Sequence, residues 1–131
     1  MIFLNEITYD DVLETLQKNP NISKTFRYYE TRSLSNFKNH KHHFFLKVEN
    51  EVVGYGHLDF EEKLWLGMFV TDNFIGQGYG KIILQKLINT SKHDLYLSVD
   101  KDNISAINLY IRNGFKIYDQ TEKIFYCILK K

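Results

Sequence analysis

The residues of this chain whose types and spacing suit chemistry begin with Gly76-Gln77-Gly78-Tyr79-Gly80-Lys81. Alternate glycines let the backbone take positive φ and let a ligand approach without meeting a Cβ atom. They follow the apolar run Leu64 to Val70 and precede Ile82, Ile83, Leu87 and Ile88, which recur at helical spacing. The glycines therefore sit where a helix begins. There the first backbone N–H groups have no partner within the helix, and the macrodipole adds partial positive charge. An anion belongs at such a place, most naturally a phosphate. Spacing narrows the choice. A Walker A loop needs four residues between its first glycine and Gly-Lys, then Ser or Thr; here three separate Gly76 from Gly80-Lys81, and Ile82 follows. The dinucleotide fingerprint G-x-G-x-x-G is also absent, because the pattern is G-x-G-x-G. By itself the loop is equally compatible with a plain glycine turn.

The nearest ionisable residues on the preceding strand are His57 and Asp59. They share a face because strand side chains alternate with period two. An imidazole with a pKa of about 6.5 exchanges protons near neutrality, and a neighbouring carboxylate orients it. The structural alternatives are a satisfied edge histidine and a turn-flanking aspartate. His40, His42 and His43 invite a metal reading. No Cys accompanies them, their spacing matches no zinc motif and the segment enters a strand, so no metal is expected.

These groups need a frame. Met1 to Ile7 suits a first strand. Thr8 to Asp11 offers cap and first-turn residues for a helix carrying Val12, Leu13 and Leu16, which Asn19-Pro20-Asn21 ends. A second helix is expected from about Ser23 to Phe37. His43 to Glu49 and Glu51 to Phe60 read as a hairpin around Glu49-Asn50-Glu51, and Leu64 to Val70 follows a turn at Glu61-Glu62-Lys63. After the glycine loop and its helix, Asp94 to Val99 is a short strand lying parallel to Leu64 to Val70, since a helix connects them. Asp100 to Asn103 caps a further helix with Ala106, Ile107, Tyr110 and Ile111 on one side and Gly114 as its stop. Phe115 to Tyr118 and Lys123 to Leu129 close the chain as a hairpin.

The glycine loop, behind a strand and ahead of a helix, resembles the acetyl-CoA pyrophosphate loop of the GCN5-related N-acetyltransferases, the GNAT family. That loop, Gln/Arg-x-x-Gly-x-Gly/Ala, maps onto Ile75, Gly78 and Gly80, with Ile75 departing from it. Asn103-x-x-Ala106-x-x-Leu109-Tyr110-x-x-x-Gly114-Phe115 resembles a second motif of the family, in the right order after a strand. The resemblance covers roughly residues 43 to 130. It implies an α/β (α+β) fold with a mixed central sheet: antiparallel N-terminal strands, then a parallel pair around the acetyl-CoA loop, flanked by about four helices. It further implies that the strand before the loop bends at a bulge, for which Gly67 is the expected position. Met68, Phe69 and Val70 would bond the pantetheine arm through the main chain. Ile75, Gly76, Gln77, Gly78, Tyr79, Gly80 and Lys81 would form the pyrophosphate cradle, and Asn103 would bind the cofactor's amide arm, cap its helix, or both. Tyr110 falls where the family commonly places the tyrosine that protonates the departing thiolate. The carboxylate base common on the strand before the loop has no counterpart among Leu64, Trp65 and Leu66. His57 and Asp59 remain candidates, beside a water relay.

Composition sets the class. With 131 residues, 44% hydrophobic and 25% charged, the chain reads as one globular domain. A net charge of +1 argues against a nucleic-acid binder working by bulk electrostatics. No apolar run approaches the roughly 20 residues of a membrane span, no signal-peptide pattern opens the chain, and the lone Cys127 rules out an internal disulfide, so a cytoplasmic protein is expected. A homodimer is the default assembly, decided by no residue pattern. Charge is uneven: Lys24, Arg27, Arg32, Lys38, Lys41 and Lys47 face one acid, Glu30, whereas Glu49, Glu51, Asp59, Glu61 and Glu62 follow without Lys or Arg. Acids near the site would attract a protonated amine and the basic segment an anionic group. The expected function is direct acetyl transfer from acetyl-CoA to a small-molecule amine, with a nucleotide-linked amino sugar as an acceptor having both charges. Polyamines, amino acids and protein amino termini are alternative acceptors, and a non-catalytic acyl-CoA sensor is the alternative class.

Overall fold

The computed structural model describes residues 2–7, 10, 11, 14, 40–49, 51–71 and 74–131. Its strands are β1 (Ile2–Glu6), β2 (His40–Val48), β3 (Glu51–Glu61), β4 (Lys63–Val70), β5 (Leu95–Asp100), β6 (Lys116–Gln120) and β7 (Ile124–Leu129). Helix α1 (Tyr79–Thr90) joins β4 to β5, and α2 (Ile104–Arg112) joins β5 to β6. Asp10, Asp11 and Glu14 are helical, as expected for the first helix; the expected helix from Ser23 to Phe37 lies outside the described residues.

Among the described residues the strands form one sheet in the order β1-β2-β3-β4-β5-β7-β6. Every neighbouring pair is antiparallel except β4 and β5, which a helix connects. The two early turns are tight, with Glu49 and Glu62 at φ 51° and 60°. Strand β2 begins at His40, three residues before the expected start, and its pairing with β3 slips between His40 and His42. The alternation that marks a strand is broken there, so pattern alone begins it too late.

Period-two alternation gives the sheet two chemically different faces. On one lie Phe44, Leu46, Leu58, Leu64, Leu66, Leu95, Leu97, Val99 and Cys127, buried with Ile83, Leu84 and Leu87 of α1 and with Tyr110 and Phe115. Both helices therefore cover the same apolar side. On the other lie His43, Tyr55, His57 and Asp59, buried on β2 and β3, and then Trp65, Tyr96 and Tyr126, half-buried on β4, β5 and β7.

Helix α1 approaches β3 closely. A Cβ at Gly54 would stand 2.5 Å from Ile83 Cδ1, and one at Gly56 would stand 2.6 Å from Ile83 Cγ2 and 2.8 Å from Leu87 Cδ1. These glycines are gaps into which the helix settles. Gly67 differs from expectation: pairing of β3 with β4 runs without a register shift through His57↔Gly67, so no bulge occurs there. The reason is steric. The His57 ring lies across β4 at this point, and a Cβ at Gly67 would be 2.6 Å from both Cε1 and Nε2. Gly67 makes room for a ring rather than bending a strand.

Overpacking under α1 should be costly, because the branched Ile83 has no room to retreat. Gly56→Ala is expected to destabilise the fold by about 1–3 kcal/mol, read as a lower urea midpoint at unchanged m-value. An unchanged midpoint would refute this packing.

Candidate active site

Strand β4 is bonded to β3 along its length, but on its other edge it pairs with β5 only at Leu64↔Leu95 and Trp65↔Tyr96. Beyond Trp65 the two strands part. The resulting cleft opens toward the C-terminal end of β4, where Thr71 N–H donates to the Val53 carbonyl (2.9 Å) and Phe74 N–H to the Thr71 carbonyl (2.9 Å). The chain then turns into the glycine loop. Gly76 and Gly78 both stand at φ 86°, and nothing lies within 4 Å of where a Cβ would be at either. Gly78 is the N-cap of α1 in the left-handed conformation, and the first turn of the helix carries no acidic residue. The N-cap makes no side-chain hydrogen bond, and the first turn adds no acid of its own against the partial positive charge of its N–H groups. The loop residues fit a pyrophosphate.

The remaining loop positions divide by role. Gly80 lies inside the first turn of α1 rather than in the loop, and its Cβ would meet Leu109 Cδ2 at 3.2 Å, Met68 Cε at 3.6 Å and Val70 Cγ2 at 3.7 Å. It sets the approach of α1 to α2 and β4. The Tyr79 ring packs 6.1 Å from that of Phe74. Ile75 is 55% exposed, while Gln77 and Lys81 also face solvent. Met68 and Val70 pack against the core and Phe69 is buried on the opposite face, so it is the backbone of these residues that borders the cleft.

Across the cleft, Asn103 caps α2: its Oδ1 accepts from the Ala106 N–H at 3.3 Å. The side chain is exposed, at the end of β5 nearest the loop. Tyr110 is 8% exposed, with its ring 5.9 Å from that of Phe115. Burial, and secondarily Cys127, push its phenol above the ordinary tyrosine value. Cys127 pairs with Leu97, one residue beyond the last β4–β5 pair, so Tyr110 is held beside the foot of the cleft in its neutral, proton-bearing form.

On the face away from the helices, His57 and Asp59 are buried at 0% and 1% exposure. Asp59 therefore does not belong with exposed Glu62 in an acidic surface; alternation turns it inward with His57. Tyr55, to which the sequence pattern drew no attention, and His43, weighed there only as a metal ligand, adjoin them. His43 pairs directly with His57, its Nδ1 is hydrogen-bonded to the Tyr55 hydroxyl at 2.8 Å, and the Tyr55 ring lies 5.5 Å from that of His57. Alternation across the β2–β3 hairpin is the signal that points to both. The basic segment lies largely outside the described residues, and among those described no group of His, Cys, Asp or Glu is arranged to hold a metal.

This arrangement has relatives. The model of the acetyltransferase (GNAT) family matches residues 8–115. The chain belongs to that family, and so to the acetyl-CoA-dependent N-acetyltransferases. Its fold is that of an IAA acetyltransferase from Bacillus cereus (TM-score 0.82, 15% identity, all of both chains). It is also similar to PaiA N-acetyltransferase from Thermoplasma acidophilum bound to coenzyme A (0.79, 18%, 100% of this chain and 99% of the other). A third likeness is to Campylobacter jejuni N-acetyltransferase PseH bound to acetyl coenzyme A (0.67, 19%, 100% and 99%). No curated protein matches the sequence. No helix among the described residues is long and apolar enough to cross a membrane.

Two outcomes are expected from this geometry. Gly78→Val places a branched side chain at positive φ in the open cradle, at a backbone cost of about 1–2 kcal/mol, and should weaken acetyl-CoA binding at least about tenfold by calorimetry. Equal affinity would remove the loop from the site. For Tyr110, the folded state holds its proton more tightly than the unfolded chain. The associated stability is complete below about pH 10 and is lost as pH rises further, because the unfolded state ionises first. Urea midpoints should fall more steeply above that pH in the native chain than in Tyr110→Phe.

Proposed function

We propose that the chain transfers an acetyl group directly from acetyl-CoA to a primary amine of a small molecule, without a covalent enzyme intermediate. The observation carrying this reading is the parting of β4 from β5 after Trp65↔Tyr96, beside the open N-terminus of α1. An extended pantetheine arm is complementary to the free edge of β4 at Met68, Phe69 and Val70, with the pyrophosphate on Gly76, Gly78 and the first N–H groups of α1. Asn103 stands at the opposite wall.

Alignment of the two substrates supplies much of the rate. The acceptor must arrive without its extra proton, and His57 takes that proton, its ring reaching over Gly67 toward the cleft. Asp59, two residues along on the same inward row, is placed to orient the imidazole. Attack of the amine on the thioester carbonyl makes an oxyanion, which a main-chain N–H of β4 stabilises. Collapse of that intermediate breaks the C–S bond and Tyr110 gives its proton to the departing thiolate, while the nitrogen sheds its surplus proton to solvent, from which the phenol is restored. Burial that keeps the phenol neutral also makes it a weaker acid, and the transfer proceeds because the thiolate, of conjugate pKa about 8.5 in water, gains proton affinity in the same desolvated setting.

The acceptor class we infer is a nucleotide-linked amino sugar, which unites an amine with an anionic diphosphate. The test is release of free thiol across an amine panel that includes nucleotide amino sugars. Acceptor-dependent release is expected, with kcat lowered about 100-fold in both Tyr110→Phe and His57→Gln while acetyl-CoA affinity is kept. Binding of acetyl-CoA with no release on any amine would overturn catalysis, and undiminished release in either variant would overturn that residue's role.

A further inference from the structure

The sheet face away from the helices changes character at β4. Over β2 and β3 it is buried, but from β4 to β6 it presents a band of aromatic rings, half-buried at Trp65, Tyr96 and Tyr126 and exposed at Tyr118. Trp65 lies 5.8 Å from Tyr96, Tyr96 lies 5.9 Å from Tyr118, and Tyr118 lies 6.5 Å from Tyr126, centroid to centroid. Tyr118 is 45% exposed on β6, where pairing with β7 slips between Ile117 and Asp119. That irregularity falls at Tyr118. A folded chain gains little from leaving such surface half-open, and a contiguous exposed apolar patch marks a binding site more often than isolated rings do.

Position and charge say what the band would bind. It starts at Trp65 and Tyr96, the last residues to pair before the cleft opens, so it runs outward from the reaction site. Centroid spacings of 5.8 and 5.9 Å carry it from Trp65 on β4 through Tyr96 to Tyr118 on β6. The Lys63 ammonium lies over two of its rings, 4.6 Å from the Tyr96 centroid and 5.8 Å from that of Tyr118. A cation already seated there disfavours a second cation and leaves N–H donors for an anion. An exposed ring for a base at Tyr118, a cation seated over the adjoining Tyr96 and a reach of that length together match a nucleoside diphosphate. Each stacked base is worth about 1–3 kcal/mol on such platforms, without demand for a particular base.

We infer that Trp65, Tyr96, Tyr118 and Tyr126, with Lys63, form the subsite for the nucleoside diphosphate half of the acceptor, the base stacking on exposed Tyr118 and the phosphates meeting Lys63. This rests on the acetyltransferase reading of the adjoining cleft and specifies the acceptor side of the same site. The amine end then lies at the foot of the cleft, beneath His57 and Gly67. Both ends of an extended nucleotide sugar are accommodated by one row of the sheet.

The chain has a single tryptophan, Trp65, inside the proposed subsite, which makes its fluorescence a direct reporter. UDP, dTDP and GDP would each be titrated with coenzyme A held at saturation, so that the cofactor cleft is filled. At least one should quench saturably, with Kd raised about tenfold or more in Tyr118→Leu and in Lys63→Met. Inorganic pyrophosphate should bind much more weakly. No saturable quenching, equal affinity in Tyr118→Leu, or pyrophosphate binding as tightly as the nucleotides would each overturn the subsite. Calorimetry of coenzyme A on the same preparation separates the two readings: a chain that binds coenzyme A but no nucleotide loses this inference alone, whereas one that binds no coenzyme A loses the acetyltransferase reading of the cleft.

Discussion

A strand in the middle of a sheet must have partners on both edges or leave polar backbone groups for something else to satisfy. Strand β4 keeps one partner throughout and gives up the other after Trp65. Everything else in the site is placed relative to that parting. The helix that follows β4 must return to start β5 in parallel, and the right-handed crossover brings its N-terminus over the open end of the cleft. An extended substrate and the phosphates attached to it are thus served by one topological event. In the proposed complex the edge of β4 bonds the arm and the N-terminus of α1 holds the phosphates.

The glycines of this chain show how unlike one another the reasons for glycine are. At Gly76 and Gly78 the requirement is conformational, φ 86° with empty space around it. At Gly54 and Gly56 the backbone is ordinary strand, and what is required is the volume occupied by Ile83 and Leu87. At Gly67 the missing side chain is replaced by the His57 ring. A histidine on β3 acquires a position over β4 only because β4 has nothing there. Replacing Gly67 by any larger residue would move the ring rather than merely crowd it.

Much of this architecture is legible in the amino-acid sequence. Strong local signals carry through: the G-x-G-x-G loop, the apolar runs of β4 and β5, the Asn103 cap and the helix stop at Gly114, which takes φ 98°. Each is decided by residues adjacent in the chain. What is not legible depends on residues far apart in it. A glycine inside a strand reads as a bulge from its own neighbours, and only the ring arriving from β3 shows that Gly67 is a clearance. Asp59 reads as one acid in an acidic run, although alternation puts it on the buried side while Phe60 points out at 55% exposure. The aromatic band is likewise invisible in sequence order, since Trp65, Tyr96, Tyr118 and Tyr126 come from four strands and meet only through the β4-β5-β7-β6 order.

That strand order also separates the two substrates. The core side of the sheet is closed by α1 and α2, and the cofactor's phosphates belong at the end of α1. The opposite side carries the polar array of His43, Tyr55, His57 and Asp59, followed by the open aromatic band. Reaction between a thioester and an amine needs the two to meet at one point while their larger portions stay apart. The parting of β4 and β5 supplies such a point, because it is the place where the sheet is open between its faces. On the mechanism we propose, a base on one side and an acid on the other then serve different protons. His57 lies over Gly67 on the face from which the amine would come, and Tyr110 lies in the core on the face of α2, beside the row of Leu97 and Cys127. The opposed burial of these two groups follows from which strand row and which helix face each occupies.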